Sequence, residues 1–290
     1  MNIYETITTR LLNQLDAGHI PWRKTWAAGL PRNLTSNREY RGINTLVLAA
    51  SGFTSRFWVT YREAQRLGGQ VRKGEKATPV IYWKWRTSAD MEKLQREHGA
   101  KDFAPCVPFL SFVFNLDQVD GLQSDCETTP QPIPAPYEIA NLMLETMPNP
   151  PRINHATHVE PAYDPQSDLV LLPHLSQFES GTEYYATLFH ELAHATGHAT
   201  RLNRFGTTPG DRMERYSFEE LVAEFCAAFL CAHTSINNPT SEALQASYIA
   251  GWSKALRSNP QMILRAASLA QRAADYIRGK VHGEELTIAA

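Results

Sequence analysis

The sequence predicts an α+β protein of two domains, and three observations lead to that prediction. Amphipathic helices and short β-branched or aromatic strands occur in both halves of the chain. Residues 1–86 carry fourteen Lys and Arg against five Asp and Glu, whereas the remainder carries fourteen against twenty-five. Residues 123–136 contain four prolines and few apolar side chains. This stretch predicts an extended linker between domains at residues 1–122 and 137–290.

The overall composition is that of a soluble globular protein. Of the 290 residues, 43% are hydrophobic and 20% are charged, so the composition does not favour disorder. The chain has no apolar run of about 18 residues and no N-terminal signal sequence, which predicts a cytoplasmic protein with no membrane partner. The four cysteines form no C-x-x-C pair and are expected to be reduced thiols.

The first domain is predicted to be a small α+β unit. Ile3, Ile7, Leu11 and Leu15 recur every four residues and predict an amphipathic helix that ends at Gly18. The further predicted elements are short helices at 44–50 and 61–67, strands at 78–85 and 109–115, and a charged surface insertion at 87–103.

Aromatic residues are concentrated in the basic part of the chain. It contains five of the six tryptophans, namely Trp22, Trp26, Trp58, Trp83 and Trp85. Cations that follow phosphates, together with rings that stack on unpaired bases, are typical of proteins that bind single-stranded nucleic acid. The alternative is that the rings form the core of a small domain while the cations are solvated.

The second domain is predicted to contain a helix at 137–147, strands at 153–159, 162–163 and 169–172, and a helix that starts near residue 181. Ser180 and Glu183 have the S-x-x-E spacing of a capping box at the start of that helix. Further helices are predicted from residue 217 and at 241–256 and 260–279.

The motif His190-Glu191-Leu192-Ala193-His194 predicts a metal site on this helix. Residues four apart share one helix face, so both imidazoles can bind one ion. Zn²⁺ suits such ligands, and another divalent ion such as Mn²⁺ is a further candidate. Glu191 is the predicted catalytic base. The alternative is an ordinary helix that happens to carry two histidines.

The order of strands followed by a metal-bearing helix resembles the zincin layout. In gluzincins, the zincins whose third ligand is Glu, that ligand lies in E-x-x-x-D on a downstream helix, and Glu220-x-x-x-Glu224 fits this pattern with Glu for Asp. Because Ser217-x-x-Glu220 also has capping-box spacing, Glu224 stays open as the alternative ligand. Glu219 is expected to be solvated.

Two other residues near the motif bear on the class of zincin. A metzincin would carry its third histidine at position 200, which is Thr200 here, so that class is excluded. His198 is expected to lie at the surface or behind a ligand.

An ordered series of motifs across residues 1–122 resembles the N-terminal domain of ArdC-type antirestriction proteins, which conjugative primases share. The series includes Tyr40-Arg41-Gly42-Ile43-Asn44, Gly68-Gly69-x-Val71-Arg72-Lys73-Gly74-Glu75-Lys76 and Val113-Phe114-Asn115-Leu116-Asp117-Gln118. The resemblance implies binding of single-stranded DNA without sequence preference. The phosphate-contact candidates are Arg32, Arg41, Arg62, Arg72, Lys73 and Lys76, and the stacking candidates are Trp22, Trp26 and Tyr40.

The second half resembles the zincin-like metallopeptidase domain of the same family. The combined resemblance implies an antirestriction protein of a conjugative plasmid that protects incoming DNA. One alternative is a zinc metallopeptidase that cleaves a host regulatory or restriction protein and binds DNA only for localisation. Another is a purely structural metal site, which would be closed by four protein ligands. The sequence does not decide whether proteolysis occurs.

Overall fold

The structure is a computed structural model that describes residues 3–22, 29–98, 106–123, 136–205, 212–236 and 252–280. Its first half contains short helices around a small sheet. The elements are α1 (Ile3–Asp16), β1 (Arg32–Asn33), α2 (Ile43–Ala49), β2 (Phe57–Val59), α3 (Tyr61–Arg66), β3 (Gln70–Val71), β4 (Thr78–Trp85), α4 (Ser88–His98), β5 (Cys106–Asn115) and β6 (Val119–Asp120).

The main sheet of this half has the strand order β1-β2-β5-β4, with β1 and β2 parallel and the other neighbours antiparallel. Strands β3 and β6 form a separate antiparallel ribbon. Asn44 of α2 covers the free edge of β4, because its side-chain amide donates to the Ile81 carbonyl and accepts from the Ile81 amide, both at 2.8 Å. This side chain supplies the partners that a neighbouring strand would otherwise provide.

The second half contains helices packed on a three-stranded sheet of order β7-β9-β8, in which β8 is an antiparallel edge strand. The elements are α5 (Pro136–Thr146), β7 (Arg152–His155), β8 (Ala162–Asp164), β9 (Leu169–Leu172), α6 (Gly181–Ala195), α7 (Arg212–Thr234), α8 (252–258) and α9 (Met262–Ile277). No helix in the described ranges combines the length and apolar composition that a membrane span requires.

The two halves share one hydrophobic core. The largest cluster of buried side chains joins Leu11 of α1 and Leu46 of α2 to Phe225 of α7 and Ala270 of α9. A hydrogen bond also joins the two halves: the Thr8 hydroxyl donates to the Pro260 carbonyl at 2.8 Å. The first half is therefore packed on the helices of the second half.

Most predicted elements are confirmed, including the α+β class, and the differences have local causes. The insertion after β4 forms α4, whose polar sequence gives no apolar stripe to predict a helix. Strand β7 ends at His155, because the chain turns at His158 with φ +57°. Residues 124–135 of the predicted linker, and most of the predicted helix 241–256, lie outside the described residues.

Candidate metal centre

Helix α6 holds the two motif histidines on its partly exposed face. The Ser180 side chain begins the helix by accepting a hydrogen bond from the Glu183 amide at 3.2 Å. Leu192 is fully buried on the core side of the helix. His190 and His194, one turn apart, therefore face helix α7 instead of the core.

The imidazoles meet a carboxylate from α7 at distances that suit one metal ion. The two Nε2 atoms of His190 and His194 lie 3.1 Å apart. The Glu220 carboxylate lies 3.5 Å from Nε2 of His190 and 3.6 Å from Nε2 of His194. Two ligand atoms bound to a tetrahedral Zn²⁺ at about 2.1 Å lie roughly 3.4 Å apart. The donor set and its spacing thus fit a divalent cation.

Two more carboxylates of α7 approach the opposite sides of the imidazole rings. Glu219 Oε1 lies 3.4 Å from Nδ1 of His194, and Glu224 Oε1 lies 3.8 Å from Nδ1 of His190. A carboxylate near Nδ1 favours the tautomer with a proton on that atom, which leaves Nε2 free to bind a cation. This geometry favours Glu220 as the third ligand and Glu224 as an orienting group.

Glu219 is held by a buried arginine, so the expectation that it is solvated is wrong. Arg204 is only 3% exposed and donates to the Glu219 carboxylate from Nε at 2.9 Å and from Nη2 at 2.5 Å. The same guanidinium donates to the Thr196 hydroxyl and to the Ala193 carbonyl. These contacts tie the end of α6 to α7 and fix the carboxylate beside His194.

The carboxylates make the site strongly attractive to cations. Burial lowers the pKa of His190, but its hydrogen bond to Glu220 and the charges of Glu224 and Glu191 outweigh this and raise the pKa to about 9. Glu191 itself is buried beside the first histidine of the motif. Such a site stabilises positive charge in the form of either a proton or a metal ion.

Ser217 and His198 also bear on the choice of ligands. Helix α7 begins at Arg212, so Ser217 lies inside the helix and does not cap it, which leaves Glu220 available as a ligand. His198 contacts the Thr200 hydroxyl at 2.9 Å through Nδ1 and is not part of the metal-binding group among the described residues. It therefore lies apart from the ligands.

Sequence reasoning did not anticipate Arg204 or Tyr216 at this site. The Tyr216 hydroxyl forms a hydrogen bond to the Glu220 carboxylate, although 58% of the side chain is exposed. Tyr216 lies four residues before Glu220 on the same helix, and this spacing could have predicted the contact between their side chains. The contact of Arg204 with Glu219 could not be predicted in this way, because Glu219 lies on α7 and Arg204 does not.

Of the three predicted stacking residues, Trp22 is fully buried. Its ring packs edge-on against Phe225 at 4.7 Å and against Trp252 at 5.3 Å between centroids. No face of the ring is left for a base, so the predicted stacking role of Trp22 is wrong for this structure. Tyr40 is partly buried against the cluster around Trp58. Trp26 lies outside the described residues.

The six predicted phosphate-contact cations have different surroundings. Arg32 donates to Glu39 at 2.6 Å, and Arg41 pairs with the buried Asp275 of α9. Arg72 pairs with Glu75 at 2.9 Å, and both Arg41 and Arg72 remain exposed despite these ion pairs. Arg62, Lys73 and Lys76 are exposed as well. The structure thus concentrates exposed positive charge near α3 and the turn after β3, and it uses Arg41 to join the two halves.

A groove adjoins this positive charge. A cavity of about 540 Å³ opens between α3 and the β3–β6 ribbon. Tyr61 and Phe114 line it with rings 6.2 Å apart. Arg72 and Lys73 also line it, together with the acidic Glu75 and Asp120, and Arg72 forms ion pairs with both carboxylates. The groove therefore combines aromatic surface with two cations and two carboxylates.

Two family models match the chain, one for each half. Residues 1–110 match the N-terminal domain of anti-restriction factor ArdC, and residues 149–269 match a zincin-like metallopeptidase. The metal-free crystal structure of antirestriction ArdC protein from the R388 plasmid is 33% identical, with a TM-score of 0.77. The alignment covers 97% of this chain and 98% of that one. The Mn(II)-bound structure of the same protein is 32% identical, with a TM-score of 0.76.

Relatives from Escherichia coli and Sinorhizobium fredii also match the chain. A DNA primase TraC of Escherichia coli is 36% identical over 294 residues, which cover 94% of this chain. The chain spans only 20% and 27% of the lengths of the two TraC primases that it matches. The protein y4eC of Sinorhizobium fredii is 32% identical over 307 residues, and the alignment covers 96% of this chain and 92% of that protein.

Proposed function

The chain belongs to the family of ArdC antirestriction proteins, and we propose that it binds single-stranded DNA without sequence preference. In this role it protects plasmid DNA from host restriction when the DNA enters a recipient cell as a single strand. The second half holds a divalent cation, Zn²⁺ or Mn²⁺, at His190, His194 and Glu220.

The groove between α3 and the β3–β6 ribbon is the observation that supports DNA binding. Its Tyr61 and Phe114 rings offer surface to unpaired bases, and Lys73 offers charge to phosphates, whereas Arg72 is paired with Glu75 and Asp120. Arg62 and Lys76 extend the positive charge beyond the groove. A duplex hides its bases within the stack, so rings in such a groove favour an unpaired strand.

Hydrolysis of a host protein is the second candidate function. The observation in its favour is the buried Glu191 next to a complete set of ligand side chains. A cation at this site would polarise a substrate carbonyl and make water more acidic. Glu191 would then accept the proton of the attacking water, and Tyr216 would hold the Glu220 carboxylate in place.

Binding of the full chain to oligo(dT) across a series of NaCl concentrations tests the DNA proposal. We expect binding to weaken steeply with salt, because cations that contact phosphate displace counterions. In the triple variant Arg62→Gln, Lys73→Gln, Lys76→Gln, the log–log slope should fall by about 0.7 for each lost contact.

The matched control is Lys93→Gln on α4, an exposed cation 3.9 Å from Glu97, and it should bind like wild type. Oligo(dA) and mixed-sequence strands should bind with similar affinity, and a duplex should bind more weakly. No salt-dependent binding of single strands by the wild-type chain would contradict the proposal.

A further inference from the structure

The ribbon formed by β4 and β5 extends beyond the core that it helps to build. Eight residues of β4 pair with β5, from Thr78 with Val113 to Trp85 with Cys106. The first four residues of β4 are buried, and the last four are exposed. The exposed end of the ribbon comprises 82–85 and the facing residues 106–109.

Large aromatic rings cover this exposed end. Tyr82 is 66% exposed, Trp85 51%, Phe109 47% and Trp83 37%. Rings of this size are normally buried, because each one removes a large apolar area from water when it is packed. Four of them on one short ribbon indicate a binding surface.

The rings are divided between the two faces of the ribbon. Tyr82 and Phe109 are direct cross-strand partners and share one face with Lys84. Trp83 and Trp85 lie on the other face, about 7 Å apart as alternate residues of one strand, and Phe112 of β5, which is 55% exposed, lies on that face too. A partner protein would cover one continuous apolar face. Small groups of rings on opposite faces, one of them beside Lys84, are better matched to a flexible strand that presents one base at a time.

The charge of the ribbon also favours a flexible strand of nucleic acid as the partner. Lys84 and Arg86 alternate with the aromatic side chains, and β4 and β5 contain no Asp or Glu. Asp90, at the start of α4, is the acidic group whose pKa these two cations help to lower. The exposed end of the ribbon therefore carries a positive balance next to stacking surface, which is the combination that single strands require.

We propose that the exposed end of the β4–β5 ribbon is a stacking platform for unpaired DNA bases, with Tyr82, Trp83, Trp85 and Phe109 as the rings. The proposal rests on the proposed single-strand binding and supplies base contacts that Trp22 cannot provide. Strand β5 connects the ribbon to the groove at Tyr61, since it carries both Phe109 and Phe114, although these two rings lie on opposite faces of the strand.

The test measures oligo(dT) affinity and tryptophan fluorescence of the full chain in the variants Trp83→Leu and Trp85→Leu. Leucine keeps an apolar side chain at an exposed strand position but removes the stacking surface, so folding should be little affected. Each variant should bind oligo(dT) about tenfold more weakly than wild type. Each should also lose part of the fluorescence quenching that stacked bases cause.

The matched control is Leu142→Ala on α5, a side chain 58% exposed in the other half, which should bind like wild type. Wild-type affinity and quenching in both ribbon variants would overturn the platform while leaving single-strand binding intact. No binding by the wild-type chain would overturn the proposed function as well. An equal loss of affinity for duplex and single strand would overturn stacking on unpaired bases.

Discussion

The variant Glu191→Gln is expected to bind divalent metal as well as wild type does and to lose hydrolysis of labelled casein by a factor of roughly 10² to 10⁴. Glutamine has the shape of glutamate but cannot accept the proton of an attacking water. The ligand atoms belong to His190, His194 and Glu220, so the metal affinity should be preserved. Metal content and casein hydrolysis, measured on the same metal-loaded protein, check this prediction.

The matched control is Glu183→Gln, which makes the same change two turns earlier on α6 and should leave hydrolysis unchanged. Equal hydrolysis by Glu191→Gln and wild type, or none by metal-loaded wild type, would contradict the peptidase proposal. Conjugation into a restricting recipient adds a separate readout. Unchanged protection in the Glu191→Gln variant would mean that antirestriction depends on DNA binding alone.

The variant Trp22→Ala is expected to lower the free energy of unfolding by about 3–5 kcal/mol, the usual cost of emptying a site filled by a large buried ring. This is a large part of the total stability of a typical domain, about 5–15 kcal/mol. Trp22 packs between Phe225 and Trp252, so its loss should loosen the junction between the two halves. Urea unfolding measures the change.

DNA binding by this variant separates a core role from a stacking role. At low temperature, where the variant remains folded, its affinity for oligo(dT) should stay close to that of wild type. The exposed Trp85→Leu variant should behave in the opposite way, with weaker binding and nearly unchanged stability. A Trp22→Ala variant that is stable but binds weakly would contradict the assignment of this ring to the core.

Local sequence patterns predicted most of the elements. The four-residue spacing of apolar side chains predicted α1 closely, and β-branched and aromatic residues predicted both ends of β4. The prediction missed α4, because a solvated helix of charged residues has no apolar stripe. The shared core could not be predicted, since periodicity identifies an apolar face but not the element against which that face packs.

The part of the candidate metal site that depends on spacing within one helix was predictable. His190 and His194 lie one turn apart, which places them on one face of α6 in advance of any structure. The roles of Glu219, Glu220 and Glu224 depend on how α7 is rotated against α6, which the sequence does not encode locally. The exposure of an aromatic side chain could not be predicted from its neighbours in the sequence either. Trp22 and Trp85 both occur beside basic residues, yet Trp22 is buried and Trp85 is exposed.

An anomalous-scattering map from crystals soaked in Mn²⁺ or Zn²⁺ would test the metal centre most directly. The metal assignment predicts one strong peak about 2.0–2.2 Å from Nε2 of His190, Nε2 of His194 and a carboxylate oxygen of Glu220. The carboxylates of Glu219 and Glu224 should remain on the Nδ1 sides of the rings. A peak bound by Glu224 in place of Glu220, or no peak among these side chains at full metal loading, would contradict it.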